Sequence, residues 1–128
     1  MTPADETASV RYIVDDVEAC IDFYTRHLGF TVHAHPAPAF ADVRRGRLRL
    51  LLSGPGSSGA LATPPDAGPG RNRIHLQVDD LEAEVDRVTA EGVKPLTDVV
   101  SGPGGRQVLL ADPAGNLVEL FEAHPLTA

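Results

Sequence analysis

The sequence predicts an α+β domain built from two tandem βαβββ units. Two observations carry this. Val10 to Asp22 reads VRYIVDDVEACID and Ile74 to Asp86 reads IHLQVDDLEAEVD, with six of thirteen positions identical at an offset of 64 residues. Later, Gly46 to Leu52 (GRLRLLL) stands opposite Gly115 to Phe121 (GNLVELF) in the same order. Two ordered matches argue for internal duplication, with unit one over about residues 8–53 and unit two over about 72–122. At 128 residues the chain is the length of a single domain.

Each unit parses alike. Residues 8–14 and 72–78 alternate in polarity and end on paired aspartates, so they read as strands. Asp15 and Asp79 are expected to cap the helices that follow, with Glu18 and Glu82 completing capping boxes. The helices span about 17–28 and 81–91, with apolar stripes on Val17, Cys20, Ile21, Tyr24 and Leu28, and on Leu81, Val85 and Val88. Gly29 and Gly92 stand where a left-handed cap is wanted. Three further strands follow each helix: about 30–35, 39–45 and 47–53, then 93–100, 105–111 and 116–122. Asp112 to Asn116 (DPAGN) is a tight turn. Between the units, residues 54–71 include nine Gly or Pro among eighteen, which predicts a linker or lid without helix or strand. Gly102 to Gly105 reads as a shorter flexible turn.

Composition narrows the function classes. Eighteen acidic residues against eleven basic ones give a net charge of −7, the wrong sign for a nucleic-acid partner. No apolar run approaches the roughly 20 residues of a membrane span. The acidic start, Met1 to Glu6, lacks the pattern of a secretory signal. The lone Cys20 can form no internal disulfide, lies on a helix stripe as a small core residue, and suits a cytoplasmic setting. The charge is uneven: residues 1–53 sum to −1 and residues 72–128 to −6.

The paired βαβββ pattern, the VDD-L/V-E-A helix openings and the DPAGNLVELFE segment resemble the vicinal oxygen chelate superfamily of glyoxalases, extradiol dioxygenases and bleomycin-resistance proteins. The resemblance covers about residues 8–122. It implies that each sheet curls into half of an open barrel and that the halves enclose a cavity, within one chain or between two. It also implies a divalent metal held by His or Glu from the first and last strands of each unit. Those positions fall on Ser9, Leu50, Arg73 and Glu119, of which only Glu119 is a proper ligand. The expectation is therefore a degraded metal site and no cofactor. The alternative is one divalent ion at a site rebuilt from His75 and Glu119 with His33 or His35. His27 and His124 are read as incidental.

Strand parity sets Val10, Tyr12 and Val14, and Ile74, Leu76 and Val78, under the helices, leaving Ser9, Arg11 and Ile13, and Arg73, His75 and Gln77, on the other face. The family registration adds Leu48, Leu50, Leu52, Leu117, Glu119 and Phe121 to that face. The resulting candidate ligand-binding set is Ser9, Arg11, Leu50, Leu52, Arg73, His75, Gln77, Glu119 and Phe121, an apolar bowl with a few polar groups. Phe30, Phe40 and Phe121 are candidate stacking surfaces. Arg73 and Glu119 are expected to meet, either as a structural ion pair or as an arginine that orients an anion beside a base, Glu119 or His75.

Two functions fit. One is a binding protein of the bleomycin-resistance type that sequesters a hydrophobic or aromatic compound. The other is a glyoxalase-like lyase, isomerase or dioxygenase, with Glu119, Arg73 and His75 as candidate catalytic groups. A homodimer is expected, because open sheets expose strand edges that proteins normally cover.

Overall fold

The computed structural model describes residues 7–125, without the side chain of Ala37. The acidic stretch Met1 to Glu6 lies outside the described residues. Among those described, no helix is long and apolar enough to cross a membrane. The chain divides into two units at Gly68 and Pro69. Unit one runs β1 (Ala8–Ile13), α1 (Val17–Leu28), β2 (Thr31–Ala37), β3 (Phe40–Arg45), β4 (Leu48–Ser53) and α2 (Ser58–Leu61). Unit two runs β5 (Arg73–Gln77), α3 (Leu81–Ala90), β6 (Val100–Ser101), β7 (Gly105–Ala111) and β8 (Leu117–Ala123). Each holds one four-stranded sheet, in the orders β1-β4-β3-β2 and β5-β8-β7-β6, with the first strand parallel to the last and the other pairs antiparallel. The duplicated βαβββ architecture is thus the observed one.

The helices form where the apolar stripes place them. In α1, Val17, Cys20, Phe23, Tyr24 and Leu28 are buried, and Tyr24 meets Phe30 edge-on at 5.3 Å. Phe30 is therefore core and not a stacking surface. In α3 the buried residues are Leu81 and Val88. Gly29, with φ of 72°, turns the chain out of α1 in the left-handed conformation that a residue without Cβ adopts freely.

The N-caps sit one residue later than expected. Asp16 and Asp80, not Asp15 and Asp79, accept the N–H of Ala19 and Ala83, at 3.0 and 3.1 Å. Val14 still hydrogen-bonds to Ser53 in the sheet, so the chain needs Asp15 for the bend before the helix starts. Glu18 and Glu82 then fall in the first turn, where the helix dipole favours them. Glu122 of β8 ties down the start of α3 by accepting the Leu81 N–H at 2.8 Å. That bond and Arg106 hold its carboxyl below the ordinary range.

Two further expectations need correction. The connecting segment contains one helical turn, α2, capped by Ser57, whose Oγ accepts the Ala60 N–H and donates to the Gly54 carbonyl. Of the expected strand 93–100 only Val100 pairs with β7, joined by Ser101 just beyond it. Pro95 has no N–H to give, and Leu96 and Thr97 reach Leu109 by one backbone bond and one hydroxyl instead. His27 and His124, set aside above as metal ligands, make structural contacts. His27 is buried against Phe23 on α1, and His124 bonds to the Gly102 carbonyl and closes the turn before β7.

The last correction concerns register. Leu50 and Leu52 pair with Val10 and Tyr12, and with Val43 and Ala41, so they lie in the core under α1, both fully buried. The residues on the open face of β4 are Arg49, Leu51 and Ser53. The glycine match misleads because β3 and β4 join through two residues, Gly46 and Arg47, whereas β7 and β8 join through five, residues 112–116. The strands therefore enter their sheets presenting opposite faces at equivalent leucines.

Candidate functional site

Unit two supplies the polar cluster. The pairing of β5 with β8 sets Arg73 beside Leu117, His75 beside Glu119 and Gln77 beside Phe121, all on the face opposite Ile74, Leu76, Val118 and Leu120. Those four are core residues, no more than 5% exposed. Glu119 is itself buried. Its Oε1 accepts Arg73 Nε at 2.9 Å, and its Oε2 lies 3.5 Å from His75 Nε2. His75 tilts over the Phe121 ring at 4.8 Å between centroids. The structure thus brings Arg73, His75, Glu119 and Phe121 together, with Gln77 on the same face. An apolar ring beside one carboxylate, one guanidinium and one imidazole can take an aromatic group and orient a polar one. It also places an imidazole beside a carboxylate, with His75 Nε2 3.5 Å from Glu119 Oε2, a pairing of groups that suits proton transfer.

Unit one presents Ser9, Arg11 and Ile13 on the open face of β1, as the parity argument predicts. Leu50 and Leu52 do not join them. Sequence reasoning missed the residues that do. Asp42 on β3 is nearly fully buried and takes Arg44 through two N–H groups, each at 3.2 Å, and Arg49 Nε at 2.8 Å. Arg11 Nη1 donates to the buried Ser53 Oγ at 2.7 Å. The period-two spacing of Asp42 and Arg44 on a strand was the signal available for the first pair. Leu51, two residues after Arg49, completes the floor.

Burial pushes the Asp42 carboxyl up, but hydrogen bonds and charge from Arg44 and Arg49 outweigh it and hold the group below its ordinary value of 3.8. A proton thus binds the folded state more weakly than the unfolded one. The stability Asp42 contributes is complete above the ordinary carboxylate range and fades as pH falls below about 4. Asp42→Asn is expected to lower stability at neutral pH by about 1–3 kcal/mol and to flatten the acid limb of a melting-temperature profile against pH. A profile superimposable on that of the parent chain would show that the pairing contributes nothing.

These features define a class: a duplicated βαβββ protein with one open four-stranded sheet in each unit. Residues 7–120 match the family model described as Glyoxalase/Bleomycin resistance protein/Dioxygenase superfamily. The chain belongs to that superfamily. Among solved structures it is similar to TnmS3, an antibiotic binding protein from Streptomyces sp. CB03234, at 25% identity over 97% of this chain and 100% of that one, with a TM-score of 0.74. It is also similar to lactoylglutathione lyase from Agrobacterium tumefaciens, at 30% identity over 94% and 95% of the two chains, with a TM-score of 0.71. TioX from Micromonospora sp. ML1 shares the fold at 23% identity over 93% and 99%, with a TM-score of 0.73. No curated protein sequence matches the chain.

The divalent metal associated with this superfamily fits these residues poorly. Pairing makes Leu51, not Leu50, the counterpart of Glu119, since Leu51 stands beside Arg11 as Glu119 stands beside His75. Neither leucine can donate to a cation. Arg73 is itself a cation and already occupies one oxygen of Glu119. A zinc site needs about three or four protein donors. Among the described residues no group of three or more His, Cys, Asp or Glu could hold a metal ion.

Proposed function

We propose that the protein binds a hydrophobic or aromatic small molecule without a metal, as a sequestering protein of the bleomycin-resistance type. The observation that carries this reading is Arg73 bonded to Glu119 at 2.9 Å, two positions to which the superfamily resemblance assigns metal ligands. The guanidinium neutralises the carboxylate and so replaces the charge a cation would supply. Phe121 and His75 add the stacking surface that an aromatic ligand uses. Similarity to an antibiotic binding protein at 25% identity favours the same reading. The reading includes a homodimer in the cytoplasm, with neither nucleic acid nor membrane as partner.

A second reading, a glyoxalase-like lyase, isomerase or dioxygenase, is favoured by the 30% identity to a lactoylglutathione lyase and by the Glu119–His75 pair. There His75 acts as base, Glu119 orients it and Arg73 steadies a developing oxyanion.

Elemental analysis of protein purified without chelator, with thermal melts in the presence and absence of EDTA, separates the readings. The expected result is no stoichiometric metal and no change in melting temperature, because no binding free energy is withdrawn. A fall of several degrees on chelation, restored by one divalent ion, would reject metal-free binding. Thermal-shift screening against aromatic antibiotics should then give a saturable rise in melting temperature, with no conversion of the compound by mass spectrometry. Conversion would make the chain an enzyme.

A further inference from the structure

We propose that the open face of the first sheet carries an oxyanion site, in which Arg49 and Arg11 grip a carboxylate or phosphate group of the bound molecule. This rests on the reading above that the chain binds a small molecule on its open sheet faces, and it narrows that ligand to a negatively charged one.

Charge segregation is the first support. Among the described residues the open face of unit one carries three guanidiniums, on Arg11, Arg44 and Arg49, against the single carboxylate of Asp42. The other acids of residues 7–68 stand elsewhere: Asp15, Asp16, Glu18 and Asp22 at the start of α1 or along it, and Asp66 in the connecting segment. A face with two surplus positive charges thus occurs in a chain of net charge −7. A structural pairing would need one arginine for Asp42, and the second and third exceed it. Surplus charge of one sign on a face raises the local concentration of counter-ions, here anions.

Unspent donors are the second support. Among the described residues, Arg49 bonds to Asp42 through Nε alone, so both Nη groups remain available as a fork. Among the described residues Arg11 likewise spends only Nη1, on the Ser53 hydroxyl, and has no carboxylate partner. Ser9 pairs with Arg49 and Leu51 with Arg11, so the two arginines are diagonal neighbours on adjacent strands, within reach of one ligand group. The Ser9 hydroxyl shares that face and offers another donor.

Preorganisation is the third. Asp42, with 3% of its side chain exposed, fixes one edge of Arg49 and so aims the other. The stem of Arg11 runs under Gly59 of α2, so closely that a Cβ there would lie 2.8 Å from both Arg11 Cδ and Ser53 Oγ. Side chains already held lose less freedom when an anion arrives. Leu51 between them gives an apolar floor, which suits an organic anion.

The test uses the full chain, with benzoate, uncharged benzamide and inorganic phosphate as probes, followed through the arginine Nε–H resonances. Benzoate is expected to shift Arg11 and Arg49 saturably, with benzamide at least about tenfold weaker. Phosphate displacing benzoate from the same resonances assigns the site to any oxyanion; phosphate without effect assigns it to carboxylates. Arg11→Gln and Arg49→Lys should each weaken benzoate about tenfold while the chain stays folded. The lysine keeps a cation beside Asp42 but lacks the fork. Equal binding of benzamide, unchanged affinity in both variants, or no shift at either arginine overturns the oxyanion site. Benzamide binding, or a hit among the aromatic antibiotics, would leave the small-molecule reading standing by itself.

Discussion

Arg73→Met is expected to destabilise the chain by about 1–3 kcal/mol, while Arg73→Met combined with Glu119→Leu recovers most of the loss. Glu119 is 6% exposed, and with Arg73 gone its Oε1 keeps no charged partner among the described residues. His75 remains only at 3.5 Å from the other oxygen. The buried carboxylate then carries its desolvation cost nearly alone. Leucine at 119 removes the charge and joins an apolar neighbourhood, with Leu109 opposite it on β7. Urea unfolding of the parent, both single variants and the double variant closes the cycle. Ligand binding by the double variant adds a second reading: a pair that only holds the sheet together leaves binding intact, whereas a pair that touches the ligand does not. Equal stability of the Arg73→Met chain and the parent would show that water reaches Glu119 after all.

Gly105→Ala should cost more, about 2–4 kcal/mol, and should disturb the site as well. Gly105 opens β7 opposite Ala123, where a Cβ would overlap the Glu122 carbonyl oxygen and sit 2.8 Å from Phe121 Cζ. Backbone cannot yield cheaply there, because Glu122 also caps α3. Displacing Phe121 would in turn move the ring against which His75 rests. Gly104→Ala is the control, since its Cβ would meet only Phe121 Cζ at 3.9 Å, an ordinary contact. Its cost should stay within about 0.5 kcal/mol. Chemical denaturation of the two variants side by side checks this, and equal losses would refute the steric account.

The duplicated architecture was legible because local signals and the repeat agreed. VDD before each apolar stripe, Gly29 after the first and the DPAGN turn each specify a chain direction through short-range physics. The Arg73–Glu119 pair was legible too, since the parity of β5 and β8 could be counted from Ile74, Leu76, Val118 and Leu120. Asp112 illustrates how local such information is: its Oδ1 takes the N–H groups of Ala114 and Asn116, four residues away at most.

Where the sequence failed, the deciding partner lay on another strand. Leu48, Leu50 and Leu52 alternate with Arg49 and Ser53, so period two alone points these leucines toward the core, and the match of Gly46 to Gly115 overrode that signal. The pairing of β1 with β4 decides it, forty residues away in the chain, and puts Leu50 and Leu52 in the core. The same pairing gathers Arg11, Arg49, Asp42 and Ser53 from three strands. The sequence by itself determined the family, the repeat and the polar pair of unit two, because each rests on contacts a few residues apart or on a parity that a charged residue marks. Only the tertiary structure decided the register of β4 and the arginine-rich face of unit one. The last two strands of each sheet join through connections of different length, two residues and five, so strand pairing and not the aligned glycines sets which face meets the helix.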